Sequence, residues 1–388
     1  MYKAPPEVPY ADNFTFVVTD DCNLRCSYCY EEGKAKYHMT KATVDKAVAF
    51  LRDQYTPISK LLCVDFIGGE PLLNMDVIEY AMERCEIELK GKWENISFGA
   101  TTNGTLFNTP SMRQRLMKLR CKLVLGLSLD GCKQAHDLAR SNSFDAVMRG
   151  FPFWRKQSPC GLTKSTIGRD GLPSLFESAK VLLSLPMDVI MINTVYEDIW
   201  EGGDDLLYYE QLLKIADYMV ETDLYKDKYF RLFDPFVLTP KTTSEGWCGC
   251  GKSMLAVDHT GALFPCLRFK TANVPYPVGH VDTGVDSNKL LPFCFSHIKK
   301  QSPDCANCEA SGGCGECLVP FWDKFGSLFI RGDWHCKMHL ARYKANQYFF
   351  GRIAEKEGVS VEEVLRLSRQ KTGGNPHGKE NAARPADV

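Results

Sequence analysis

The sequence lacks an excess of charge, a long apolar run and an internal repeat. Its 47 lysines and arginines stand against 48 aspartates and glutamates, a net charge of −1. No overall basic field draws the chain to nucleic acid or to anionic lipid. The longest apolar stretches, such as residues 181–185 and 189–192, fall far short of the roughly 18–20 residues a membrane span needs. Residues 1–13 are polar and rich in proline, with no apolar segment of the kind a secretory signal carries. These absences predict a cytoplasmic chain with no membrane and no nucleic-acid partner. Hydrophobic residues at 44% and charged residues at 24% are ordinary globular usage, so most of the 388 residues belong to a packed core.

What the sequence has in excess is cysteine, 17 in all. In a reducing compartment disulfides explain such a count poorly, and an odd number cannot pair completely within the chain. Clustered thiols there hold metals or iron–sulfur clusters more often.

The first half alternates two periods. Strand-like segments occupy residues 14–19, 61–67, 96–102, 122–129, 162–167 and 188–195. Helical patterns fall between them, from Thr40 onward with Val44, Ala47, Val48 and Leu51 on one face, then over 76–89, 111–120, 144–156, 172–185 and 206–222. About six such repeats make βαβ units and a parallel sheet, fewer than a closed eight-fold barrel requires. The pattern fits an open partial barrel and a doubly wound sheet equally. Composition changes near Tyr229, and residues 247–336 are rich in cysteine and glycine with short elements. Segments of that kind need staples such as metals. A helix is expected from about Arg342 and another near 359–367, with Ser360 and Glu363 in capping-box form. Residues 370–388 read as a disordered tail.

Directly after the first strand comes Thr19-Asp-Asp-Cys-Asn-Leu-Arg-Cys-Ser-Tyr-Cys-Tyr30, which sets Cys22, Cys26 and Cys29 in C-x3-C-x2-C spacing. Three thiolates on one tight loop suit three corners of a 4Fe–4S cluster and leave the fourth iron open. A zinc site with a distant fourth ligand, or buried free thiols, would give the same spacing. The loop, in its place after strand one of a βα repeat, resembles that of the radical S-adenosylmethionine (radical SAM) superfamily. Tyr28 stands where that family carries an aromatic. The resemblance implies an α/β fold, a partial (β/α)6 TIM-like barrel. It also implies a 4Fe–4S cluster on Cys22, Cys26 and Cys29, and SAM cleaved to methionine and a 5′-deoxyadenosyl radical. In such an enzyme the cofactor carries the hard step and the protein positions and shields it.

Further motifs sit at successive strand ends. Gly68-Gly69-Glu70-Pro71 follows the second strand and resembles the family's GGEP motif, which implies contact with the SAM amino group. Thr102 and Asn103 end the third strand, and Ser128-Leu-Asp-Gly131 ends the fourth. By the same resemblance Thr102, Asn103 and Ser128 face the SAM carboxylate and ribose. His136-Asp137-Leu-Ala-Arg140 resembles a motif of peptide-modifying members, and adds Arg140 to the cofactor-binding set; a solvated loop or helix start reads equally well.

Later cysteines fall at 248, 250, 266, 294, 305, 308, 314, 317 and 336. Their C-x2-C spacings are metal spacings, and two zinc sites would satisfy them. Their order resembles the SPASM module, a small Cys-rich α+β domain that carries auxiliary clusters. It departs at Cys314 and Cys317, which are two residues apart rather than three. The resemblance implies one auxiliary 4Fe–4S cluster on Cys248, Cys250 or both with Cys266 and Cys317, and a second on Cys305, Cys308, Cys314 and Cys336. That makes three 4Fe–4S clusters. Cys294 fits neither set. Cys63, Cys85, Cys121, Cys132 and Cys160 read as small core residues.

The expected layout is an extension over 1–13, a barrel over 14–235, the SPASM module over 236–345, and a helical segment with tail over 346–388. The resemblance implies oxidative modification of a ribosomally made peptide, forming a thioether or carbon–carbon crosslink. It implies as partners a peptide or protein substrate, an external one-electron reductant of flavodoxin or ferredoxin type, and a separate leader-peptide-binding protein. Sulfatase maturation is the alternative, but that group carries an Asp after its second module cysteine and here Leu267 follows Cys266. A non-catalytic zinc protein on a degenerate barrel is the alternative of another class. Asp130, His136 and Glu245 are candidate acids or bases.

Overall fold

The computed structural model describes residues 12–31, 35–239, 249–294, 305, 307–315 and 317–371. Cys248 and Glu245, and the tail from 372 on, lie outside the described residues, as does the side chain of Cys294.

The first half is β1 (Asp12–Thr19), α1 (Lys41–Asp53), β2 (Leu61–Gly68), α2 (Met75–Glu88), β3 (Asn95–Thr102), α3 (Pro110–Lys118) and β4 (Leu123–Ser128). It continues through α4 (Lys133–Ala139), α5 (Phe144–Gln157), β5 (Thr163–Ile167), α6 (Leu175–Ser184), β6 (Val189–Thr194), α7 (Asp204–Glu221) and the short β7 (Tyr229–Phe230). Each strand pairs in parallel with the next in chain order, from β1 through β7. A doubly wound sheet would reverse its order part-way. The unbroken order selects the α/β partial barrel over that alternative.

Local sequence explains most of these elements. Thr40 caps α1 by accepting the Thr43 N–H at 3.2 Å, and Val44, Ala47, Val48 and Leu51 are buried on its inner face. Phe14, Phe16, Val17 and Val18 are all buried, as a parallel strand covered on both faces requires. At the floor of the barrel the buried Asp12 carboxylate accepts the Trp93 Nε1–H at 2.7 Å, the Tyr55 hydroxyl at 2.9 Å and two backbone N–H groups.

The second half adds β8 (Met254–Val257), β9 (Ala262–Phe264), β10 (Gly279–His280) and β11 (Gly284–Val285). β8 pairs in parallel with β1, and β9, β10 and β11 follow it antiparallel. The cysteine-rich segment thus extends the barrel sheet from its first strand, and one 11-stranded sheet results. Helix Asp333–Glu357 then returns to pack on α7 and β7: the Phe233 and Phe349 rings stack with centroids 4.3 Å apart, and Tyr348 and Arg352 both bond Asp217.

Four details depart from the sequence expectation. Residues 133–139 form a helix. The expected helix at 172–185 starts as a 3-10 turn, Arg169–Ser174, with Pro173 inside it. The return helix begins at Asp333, ahead of Arg342, because Trp334, Met338 and His339 continue its buried face. The last helix, Val361–Lys371, takes in the first residues assigned to the tail. Cys63 and Cys85 are core residues, and burial pushes the Cys85 thiol up to about 12. Cys121 and Cys160 are exposed in the turns before β4 and β5, where the chain reverses at the surface and has no core to join.

Candidate active site

The loop bearing Cys22, Cys26 and Cys29 crosses the C-terminal ends of the parallel strands, and each neighbouring strand end holds it. At β2, Gly69 N–H donates to Thr19 O at 3.0 Å and Glu70 N–H to Asp21 O at 2.8 Å. The approach leaves no room for a side chain: a Cβ on Gly68 would stand 2.0 Å from Thr19 O, and one on Gly69 2.3 Å from Asp21 O. Here glycine serves close packing of one backbone on another. At β3, Asn103 Nδ2 donates to Asn23 Oδ1 at 2.8 Å, and Asn23 in turn donates to Thr105 at 2.8 Å. At α4, Ser27 N–H donates to Ala139 O at 2.9 Å and Arg25 N–H to Ser141 Oγ at 2.9 Å. Within the loop, Leu24 N–H donates to Cys22 Sγ at 3.4 Å and Cys29 N–H to Cys26 O at 3.2 Å.

Glu70 is buried at 1% exposure, and its carboxylate accepts Thr102 Oγ1–H at 2.7 Å, Asn103 N–H at 2.8 Å and Leu72 N–H at 3.2 Å. The Gly68-Gly69-Glu70 turn and the Thr102-Asn103 turn are therefore one bonded unit. Ser128 is buried at the end of β4.

A second network anchors Tyr28. The Asp130 carboxylate accepts the Tyr28 hydroxyl, Arg140 Nε–H at 2.7 Å and Thr166 N–H at 3.0 Å. The Arg140 guanidinium also lies over the Tyr28 ring, 5.3 Å from its centroid. Burial works against the Arg140 cation, but the Asp130 carboxylate beside it outweighs that and holds the group charged. Burial, with Asp130 adding, raises the Tyr28 phenol well above its ordinary value. His136 is wholly buried, accepts Asp130 N–H through Nδ1 at 3.3 Å and meets Ser143 Oγ at 3.0 Å; burial lowers it to about 4, so it is neutral.

A cavity of about 420 Å³ opens beside this loop, below the ends of β5 and β6. Tyr28, Cys29, Thr166 and Glu197 line it together with Arg268 and Asp323 of the cysteine-rich segment. Burial raises Asp323, opposed by the Asn273 N–H that it accepts at 2.8 Å. Lys270 of the same segment pairs with Asp20 of the loop at 2.6 Å.

The later cysteines gather in two places. Cys250, Cys266 and Cys317 surround a small core with Phe269, Phe293 and Leu318. Gly251 N–H donates to Pro265 O at 3.1 Å, which joins the Cys250 and Cys266 turns. Cys305, Cys314 and Cys336 lie around the half-buried Arg331, and Cys305 and Cys308 raise the Cys336 thiol, though burial is the larger cause. Cys314 Sγ stands 3.9 Å from His335 Nε2. Among the described residues no three His, Cys, Asp or Glu side chains converge tightly enough for a single metal ion. Sequence reasoning missed Asn23, Glu197, Arg268 and Asp323. Arg268 follows Cys266 closely enough to have drawn notice, whereas no local pattern marks Glu197.

Residues 16–173 match the Radical SAM superfamily, and that stretch holds β1 through β5 and every strand-end motif above. The chain carries a radical SAM domain. Such a domain uses SAM and a 4Fe–4S cluster. It is 22% identical over 355 residues to the radical SAM cyclopropyl synthase TigE of Paramaledivibacter caminithermalis, across 83% of this chain and 71% of that one. It is 24% identical over 334 residues to a cysteine-type anaerobic sulfatase-maturating enzyme of Clostridium perfringens, across 76% and 86%. A shorter match, 29% over 182 residues, is to an uncharacterized protein of Methanocaldococcus jannaschii, of which the chain spans 60%. The solved structure of native anSMEcpe with bound AdoMet and Cp18Cys peptide shares the fold, with a TM-score of 0.69 at 19% identity over 93% of this chain and 99% of that chain. No helix among the described residues is long and apolar enough to cross a membrane.

Proposed function

We propose that this radical SAM enzyme oxidatively modifies a ribosomally made peptide, forming a thioether or carbon–carbon crosslink, with three 4Fe–4S clusters. The observation that carries the reading is the cavity, which Cys29 lines together with the cysteine-rich segment's Arg268 and Asp323. A peptide strand lying there is within reach of both. The donor sets fit the groups. Three thiols share one loop that is bonded at β2, β3 and α4, and one thiol already accepts a backbone N–H. Cys250, Cys266 and Cys317 form a second set, and Cys305, Cys308, Cys314 and Cys336 a third. Cys248 would complete the second set.

When bound, the first cluster and SAM supply a 5′-deoxyadenosyl radical that removes a hydrogen atom from the substrate. The chain's own residues do the rest. Cys22, Cys26 and Cys29 would hold the cluster. Gly68 and Gly69 bring the β2 turn against the backbone of the loop, and Glu70 fixes Thr102 and Asn103, which would offer SAM their polar groups. Tyr28 and Asp130 line the cavity, and Arg140 holds both from behind through its bond to Asp130 and its place over the Tyr28 ring. His136 is neutral and bonded to Ser143 and Asp130, which makes it a brace for the Asp130 turn rather than an acid–base group. A flavodoxin or ferredoxin would supply electrons, and a separate protein would recognise the leader.

Protein purified and reconstituted without oxygen tests the reading. About twelve iron per chain with matching sulfide is expected, as three cubane clusters require, together with SAM cleavage stimulated by a cysteine-containing peptide. About four iron with added zinc would end the auxiliary-cluster reading. The likeness to a sulfatase-maturating enzyme supports a second reading, conversion of Cys or Ser to formylglycine. The presence of Leu267 where that group has an Asp weighs against it, and formylglycine in a sulfatase peptide treated with the enzyme would reverse the preference.

A further inference from the structure

Arg268 links the cavity to the second cysteine set. It lies one residue beyond Leu267 and in the same short helix, Leu267–Lys270, that Cys266 opens. Its Nη1–H donates to Cys317 Sγ at 3.4 Å. Its Nη2–H donates to the Glu197 carboxylate, beyond the end of β6. Its guanidinium lies over the Tyr30 ring, 4.7 Å from the centroid, next to Cys29. Arg268 and Glu197 both line the cavity, and their side chains are 17% and 35% exposed. Arg268 Nε is buried and has no hydrogen-bond partner among the described residues.

A thiolate that ligates iron carries charge density that shifts with the cluster's oxidation state. An N–H···S bond and a nearby cation both stabilise the reduced, more negative form, so they raise the reduction potential. A carboxylate beside the cation does the opposite. In a half-buried wall neither effect is fully screened by water.

Resting on the three-cluster reading, we propose that the Arg268–Glu197 pair is a positioning device that sets the reduction potential of the cluster Cys317 holds. Arg268 raises that potential through its bond to Cys317, and Glu197 moderates the rise. Because both residues face the cavity, a substrate that draws Glu197 or Arg268 to itself changes the balance. The potential of the auxiliary cluster is thereby tied to occupancy of the cavity.

The test uses reconstituted full-length enzyme, with iron counted before any other measurement. Redox titrations followed by electron paramagnetic resonance are compared for the wild type, Arg268→Gln, Arg268→Lys and Glu197→Gln. The signal belonging to Cys317 is assigned by its loss in Cys317→Ala. The expected result is a shift of that signal to lower potential in Arg268→Gln and to higher potential in Glu197→Gln. Arg268→Lys should fall between Arg268→Gln and wild type, and the signal from Cys22, Cys26 and Cys29 should move less in every variant. Unmoved potentials at full iron content, or shifts of the same sign in both Gln variants, would make Arg268 a structural brace and overturn the inference alone. About four iron per chain in the wild type would overturn it together with the three-cluster reading.

Discussion

At the scale of single residues the site is built from close approach and from charges that are already paired. Gly69 shows the first. Its alanine variant would set a methyl 2.3 Å from Asp21 O and 2.8 Å from Cys22 Cβ. We expect Gly69→Ala to keep the circular dichroism of the wild type and to lose iron from the first site with SAM cleavage. Full iron and normal cleavage would show that the loop yields. Asp130 shows the second. It joins Tyr28, Arg140 and Thr166, and the Asp130 and Arg140 side chains are 3% and 9% exposed. Asp130→Asn leaves the Arg140 cation buried without its counter-charge. Removing one partner of such a pair costs on the order of 3–5 kcal/mol, and urea unfolding at neutral pH reads it. A change inside error would mean that water reaches Arg140.

At the scale of elements, α4 carries a buried group that makes stability depend on pH. His136 titrates at about 4 in the folded chain, against an ordinary 6.5, because burial disfavours its cation. The unfolded chain therefore takes up the proton first as pH falls. The contribution of His136 is complete above about pH 6.5, is lost as pH drops toward 4, and amounts to at most roughly 3 kcal/mol by the size of the shift. His136→Gln should flatten the pH dependence of the urea midpoint between pH 7 and 4.5 relative to wild type. Parallel curves would assign the acid sensitivity to other groups. The same element carries Arg140, so α4 couples the stability of the barrel wall to the seat of Tyr28.

At the scale of the whole molecule, a large core and a small one share one sheet. The barrel buries aromatic and aliphatic side chains along every strand. Among the described residues the core around Cys250 has Phe269, Ala272, Phe293, Leu318, Val319 and Leu328 as its other buried members. So few apolar groups cannot offset the ordering of that many residues without staples. Stripping iron with acid and chelator should expose residues 249–317 to protease while residues 12–230 stay protected. Uniform protection of both parts would mean that pairing of β8 with β1 is sufficient to hold the segment.

The strand–helix alternation, the three-cysteine loop, the glycines after β2 and the spacing of the later cysteines were all legible in sequence, because periodicity and short-range spacing are local properties. Helix α4 was only half legible, since the polar His136 and Arg140 are buried against Asp130, Ser143 and Tyr28, contacts that helical periodicity does not record. What only the tertiary structure decided follows from contacts between distant segments. The strand order chose the partial barrel over a doubly wound sheet. The pairing of β8 with β1 carried the cysteine-rich segment back to the first strand, so that Arg268 and Asp323 line one cavity with Cys29. A linear pattern records which residues recur at which interval. It does not record which strand edge stays open for a later segment to join, because that edge is created by the closure of the rest of the sheet.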